Sequence, residues 1–146
     1  CFIMDYLKVL VEEIHSVVVA TVDETGHPHT AVMDMMWEDG KTVYFLTADF
    51  KPLYKRLKED GRVALTGMTQ GAGTMDRKSI SLTGQVEWIG KEHLEELLKA
   101  NPYMYEIYPT EEGRSHLQVF RFKNAVGNFY YLTQLPPYQA RFEIEG

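Results

Sequence analysis

The sequence predicts a mainly β domain with short flanking helices, its strands closing into an antiparallel barrel. Three observations carry that expectation. Runs of β-branched and aromatic residues recur along the chain between turns rich in Gly, Asp and Asn. Few stretches show the apolar spacing of a helix. Those helices are also too few to cover the faces of an alternating α/β sheet, so about six or seven strands must cover one another. With 146 residues, 45% of them apolar, 25% charged and 12% aromatic, the chain can build one core and has no room for a second of ordinary size. The same composition excludes a disordered tail and a coiled coil.

Residues 4–135 are expected to form this single domain, with residues 1–3 a remnant ahead of it and residues 136–146 a C-terminal tail. Asp5 caps a first helix to about His15, whose Leu7, Leu10, Val11 and Ile14 form one apolar stripe. Val17 to Val22, the turn Asp23-Glu24-Thr25-Gly26 and Pro28 to Trp37 read as a hairpin. Glu38-Asp39-Gly40 makes the next turn, and Thr42 to Thr47 supplies a third antiparallel strand. Pro52 suits the first turn of a short helix ending near Asp60, with Leu53 and Leu57 inward and Gly61 as its stop.

Arg62 to Thr69 returns to strand and breaks at Gln70-Gly71-Ala72-Gly73-Thr74. From Ser79 to Ile89 the alternation puts Ile80, Leu82, Val86 and Trp88 on the core face, with Gly84 at a bend. Leu94, Leu97 and Leu98 mark a third helix, stopped by Asn101-Pro102. Leu117 to Lys123 and Val126 to Thr133 read as a closing hairpin turning at Lys123-Asn124.

Charge and composition limit the partners. Fifteen Lys+Arg against 21 Asp+Glu give a net charge of −6, which argues against a surface that binds nucleic acid by neutralising phosphates. Apolar runs such as Val17 to Ala20 fall far short of the roughly 20 residues of a spanning helix. A soluble cytoplasmic protein with no membrane partner is expected. The single cysteine, Cys1, permits no intramolecular disulfide and no thiolate metal cluster.

The most informative segment is Thr47 to Leu57, where a strand ending in a hydroxyl residue meets a helix that opens on Lys51 and continues with Lys55 and Arg56. Free N–H groups at a helix start, the positive end of its dipole and an ammonium group together suit a phosphate. The plainer reading is a lysine solvating a helix start. Other constellations carry less. His27, His29 and Asp34 share a strand but lack evident further metal ligands. Gly71-Ala72-Gly73 lacks the context of a dinucleotide fingerprint. Met33, Met35 and Met36 could wall an aromatic ring or simply pack the barrel. Ser16, Ser79, Ser81 and Ser115 sit in no nucleophile elbow. Tyr103, Tyr105 and Tyr108 form an amphipathic stretch that could cover the barrel mouth, line a cleft or join a subunit contact.

The runs Ala20-Thr21-Val22-Asp23, Gly26-His27-Pro28, Val43 to Thr47 followed by Lys51, and Leu82-Thr83-Gly84-Gln85-Val86 together resemble the split-barrel flavoproteins related to pyridoxamine 5′-phosphate oxidase. The resemblance implies a six-stranded split barrel, a homodimer and two FMN molecules in clefts between subunits. It places Lys51 on the FMN phosphate with Leu46 and Thr47 beside it, the backbone of Val32 and Met33 along the isoalloxazine, and Ser79 near the partner's approach. Two departures matter. The family's second strand usually offers an arginine to the phosphate where this chain has Ala31, with His29 or Lys78 as candidate substitutes. Authentic oxidases also carry an arginine-rich C-terminal substrate segment, unlike Leu135 to Glu143 here. The resemblance therefore implies a small FMN-dependent oxidoreductase or reductase, drawing on NAD(P)H and a small acceptor, and not an authentic pyridoxamine-phosphate oxidase. A non-catalytic flavin- or haem-binding module on the same barrel is the alternative, and no residue is marked as its acid or base.

Overall fold

In a computed structural model, residues 3–133 and 135–145 are described; Cys1 lies outside them. The chain begins with α1 (Ile3–Lys8), which runs on into a π-helical turn, Val9–Ile14. Eight strands follow: β1 (Ser16–Val22), β2 (Pro28–Asp34), β3 (Trp37–Glu38), β4 (Val43–Ala48), β5 (Arg62–Met68), β6 (Lys78–Gly90), β7 (Leu117–Tyr131) and β8 (Tyr138–Glu145). Between them lie α2 (Pro52–Glu59), α3 (Leu94–Ala100), α4 (Met104–Ile107) and α5 (Glu111–Arg114). The strands pair antiparallel in the order β2-β1-β5-β6-β7-β4-β3, with β8 also on β7.

Chain connectivity rolls this sheet. β2 and β3 lie at opposite ends of the strand order, yet only Met35 and Met36 separate them in sequence. Three Cα steps reach at most about 11 Å, so the two ends must curl together into a split barrel. Met35 N–H donates to His15 O at 2.7 Å on one side, and Met36 N–H donates to Tyr44 O at 2.9 Å on the other. The barrel is thus stitched at that crossing.

Burial follows the strand alternation. Val17, Val19, Phe45, Leu65, Leu82 and Phe120 point into the barrel with Leu7 and Leu10 of the N-terminal helical segment. Tyr44, Leu46 and Ala48 face the other way, against Leu97, Leu98 and Met104. β4 is therefore buried along its whole length. Among the described residues no helix is long and apolar enough to cross a membrane.

Five expectations are corrected. Among the described residues the barrel has eight strands instead of six. β4 pairs with β3 and β7, not beside the β1–β2 hairpin. Residues 138–145, read as tail, form β8 along the second half of β7. The hairpin expected at Lys123-Asn124 is one continuous strand. There Gln85 pairs with Asn124 and Val86 with Phe122, so Lys123 is the extra residue of a β-bulge. β7 also changes its second partner at this point, from β4 to β8. Trp88, assigned to the core, is 46% exposed, with the Lys58 ammonium 4.3 Å above its ring.

Candidate functional site

Where β2 leaves the barrel and α2 begins, a cleft of about 520 Å³ opens. That volume suits a cofactor-sized ligand. β2 supplies Ala31, Val32, Met33 and Asp34; the end of β4 supplies Leu46 and Thr47; Met104, Ile107 and Tyr108 close the far wall. The far wall is held by Asn101, which is buried and donates its Nδ2 hydrogens to Met36 O and Leu97 O, each at 2.8 Å. A buried amide satisfied in this way fixes the α3–α4 turn against the crossing between β2 and β3.

Lys51 sits at the cleft margin as the cap position of α2, its backbone extended and Pro52 the first helical residue. Proline at that place removes an N–H that would have lacked a partner in any case. One turn further on, Arg56 reaches the same cleft and donates from Nε to Thr21 Oγ1 at 2.9 Å. Among the described residues neither Lys51 nor Arg56 forms an ion pair, although Arg62, Lys78, Arg121 and Arg141 all do. Two uncompensated cations on one apolar-walled cleft, in a chain of net charge −6, create a local demand for an anion.

The structure brings Val32, Met33, Leu46, Thr47 and Lys51 together around this cleft. It places the remaining expected residues elsewhere. His29 Nε2 is 2.8 Å from Asp23 Oδ2. Asp23 is held well below the ordinary carboxylate range by hydrogen bonds from the Thr25 hydroxyl, His29 and backbone N–H groups. Lys78 Nζ pairs with Glu13 at 2.9 Å. Ser79 lines a second cleft of about 490 Å³ on the outer face of the sheet, with Ser16, Val18, Thr66, Met68 and Arg77. The residue that sequence reasoning missed is Arg56. Helical spacing does not signal it, because Arg56 lies five residues from the extended cap Lys51 and residues three or four apart share a helix face; the folded cleft is what brings the two together.

Among the described residues no three of His, Cys, Asp and Glu are gathered to hold a metal. Asp34 accepts from Ser16 and Tyr103 and does not join His27 and His29. The tyrosine stretch divides its tasks: Tyr108 lines the cleft, Tyr105 lies under the Arg114 guanidinium, and Tyr103 binds Asp34.

The family model described as pyridoxamine 5′-phosphate oxidase matches residues 3–131. The chain belongs to that family. No curated protein sequence matches it. Among solved structures, a NimC/NimA family protein of Clostridium acetobutylicum superimposes with a TM-score of 0.74 at 20% identity, covering 96% of this chain and 88% of that one. A haem-binding protein of Mycobacterium smegmatis gives 0.71 at 13% identity, over 94% of this chain but 57% of its own. An F420 reductase gives 0.61 at 20% identity, over 79% and 90%. At these identities the likeness is one of fold.

Proposed function

We propose that the cleft binds FMN and that the protein is a small flavin-dependent oxidoreductase, acting as a homodimer. The observation that carries this reading is the pair of unpaired cations, Lys51 and Arg56, on a cleft whose other walls are largely apolar. A phosphate end and a flat aromatic end require that division. Lys51 and Arg56 would hold the phosphate, Arg56 supplying from α2 the charge that Ala31 does not supply from β2. Thr47 lines the same cleft. The backbone of Val32 and Met33 would run along the isoalloxazine, and Met36 and Met104 offer polarisable contacts to a ring.

When bound, the flavin supplies two-electron hydride chemistry, and the protein contributes binding, orientation and electrostatics. NAD(P)H as donor and a small organic acceptor fit a cleft of this size. Val18 and Met68 are exposed on the outer face beside Ser79, which supports a second subunit there. The haem-binding alternative has less support, because no histidine lines the cleft among the described residues, and histidine is the commonest haem ligand in globins and peroxidases.

The test is thermal unfolding of the flavin-free protein with FMN, riboflavin or haemin added. FMN is expected to raise Tm in proportion to the logarithm of its concentration, and riboflavin less so. A shift with haemin alone would replace the reading.

A further inference from the structure

At the edge of the cleft a chain of three side chains poses a proton-counting problem. Asp34 closes β2 and lines the cleft, with 28% of its side-chain surface open. The Ser16 hydroxyl donates to its Oδ1 at 2.6 Å, and the Tyr103 hydroxyl donates to its Oδ2 at 2.8 Å. The same phenolic oxygen lies 2.7 Å from His15 Nε2. On the far side of the ring, His15 Nδ1 is 3.0 Å from the Val11 carbonyl oxygen. A carbonyl only accepts, so Nδ1 carries a hydrogen.

A phenol has one hydrogen for two partners. With that hydrogen on Asp34, the 2.7 Å contact requires a second ring hydrogen on Nε2, and His15 is an imidazolium. Its 3.6 Å approach to Asp34 is then an ion pair. With the phenol hydrogen turned to Nε2, the 2.8 Å contact requires a hydrogen on the Asp34 carboxyl. Both arrangements hold one proton more than a neutral imidazole beside a carboxylate. The arrangement without it sets two lone pairs face to face in a partly buried site.

We propose that His15, Tyr103 and Asp34 form a one-proton relay ending at the Asp34 carboxyl on the cleft, from which a bound substrate takes the proton it needs once it has been reduced. The delivery step rests on the flavin reading above; the proton count does not. In delivery, the Asp34 O–H bond breaks and its proton passes to the basic oxygen or nitrogen of the reduced substrate. That leaves His15 Nε2 and the Asp34 carboxylate both bare. Water then protonates His15 Nε2, Tyr103 gives its hydroxyl proton to Asp34 while taking that one from Nε2, and no electrons move along the chain.

Other features agree. His15 has φ 63° and ψ −64°, in a region that L side chains rarely adopt, directly after the π-helical turn. Burial, and then the bond to Asp34, pushes the Tyr103 phenol well above its ordinary range, so it stays an O–H between its partners. The groups facing the chain are Ser16 from β1, Asp34 from β2, and Tyr103 from the α3–α4 turn, with Met36 Sδ 3.5 Å from the phenol. Glu13 of the π-helical turn is engaged by Lys78. Among the described residues, His15 is the one basic group that pairs with Asp34. Lys51 and Arg56 line the same cleft without pairing to it.

The count is read by ¹⁵N resonances of the His15 ring and the ¹³C carboxyl resonance of Asp34 in the flavin-free protein. At pH 7.5 one extra proton is expected on the pair. Tyr103→Phe and Asp34→Asn are each expected to lose that extra proton, leaving His15 with the ring resonances of a neutral imidazole at the same pH. A neutral His15 beside an ionised Asp34 in the wild type would overturn the relay, and this needs no variant to fold. In the FMN-loaded protein, Tyr103→Phe is expected to lower kcat about tenfold on the alkaline side of the profile with KM little changed. An unchanged profile overturns delivery. Failure of FMN to bind removes delivery together with the flavin reading and leaves the proton count standing.

Discussion

Arg56 does two things with one guanidinium: its Nε–H is committed to Thr21, and among the described residues its terminal nitrogens have no partner, while the residue lines the cleft. Arg56→Lys keeps the charge and loses the fixing bond. It is expected to cost about 0.5–1.5 kcal/mol of FMN affinity, the net worth of one ordinary hydrogen bond. Arg56→Ala is expected to cost roughly 1.5–3 kcal/mol, as for a bond to a charged group. Calorimetric titration measures both, and equal losses would show that charge at this position does not matter. A second residue-level effect concerns acid. Arg62 donates from Nε and Nη2 to Asp60 and holds that carboxyl down at about 2, below its ordinary 3.8. The folded value lies below the unfolded one, so the stabilisation is present above pH 3.8 and is lost as pH falls toward 2. The pair is exposed, so the effect is small and weakens with salt. Urea midpoints of wild type and Asp60→Asn are expected to converge as the pH is lowered through that window; parallel curves would contradict it.

At the scale of elements, the β6–β7 pair carries the closest backbone approaches. A Cβ at Gly84 would collide with the Asn124 carbonyl oxygen and with Ala125, opposite the bulge at Lys123. Backbone cannot step aside as a side chain can, so Gly84→Ala is expected to destabilise by about 1–3 kcal/mol in urea unfolding. A loss under 0.5 kcal/mol would mean that the bulge absorbs the methyl group. The same region shows what was legible in the sequence. The strand segments on both sides of Lys123-Asn124 were readable from their alternation, and Gly84 was readable as a special position. Two adjacent polar residues, however, read equally well as a hairpin turn or as a bulge, and only the pairing partner decides. β8 carries the alternation of a half-buried strand, Gln139, Arg141 and Glu143 facing out while Phe142 and Ile144 pack inward, but its two buried apolar residues are too few to mark it apart from a tail.

For the whole molecule, the rolled sheet was legible as a barrel because the helices were too few to cover a flat one. The site was half legible. Lys51 and Thr47 follow from local order along the chain, and Leu46, Val32 and Met33 from the family resemblance, whereas Arg56 would supply from α2 a charge absent from β2, a substitution across space that spacing alone does not reveal. His29 and Lys78 looked equally suitable until their partners Asp23 and Glu13 were placed. The outer face, with Val18 at 44% and Met68 at 55% exposed, leads to a further expectation. Sedimentation should give a dimer, and Val18→Asp should shift it toward monomer, since a carboxylate buried without a partner opposes association. A wild-type monomer at all concentrations would remove the dimer.

The claim on which the functional reading turns is that Lys51 and Arg56 together hold a phosphate. Its most direct measurement is the affinity of the Lys51→Ala/Arg56→Ala double variant for FMN and for riboflavin, which differ only in that phosphate. The expected result is a loss for FMN larger than that for riboflavin by at least about tenfold, or about 1.4 kcal/mol. The same loss for both ligands would contradict the assignment.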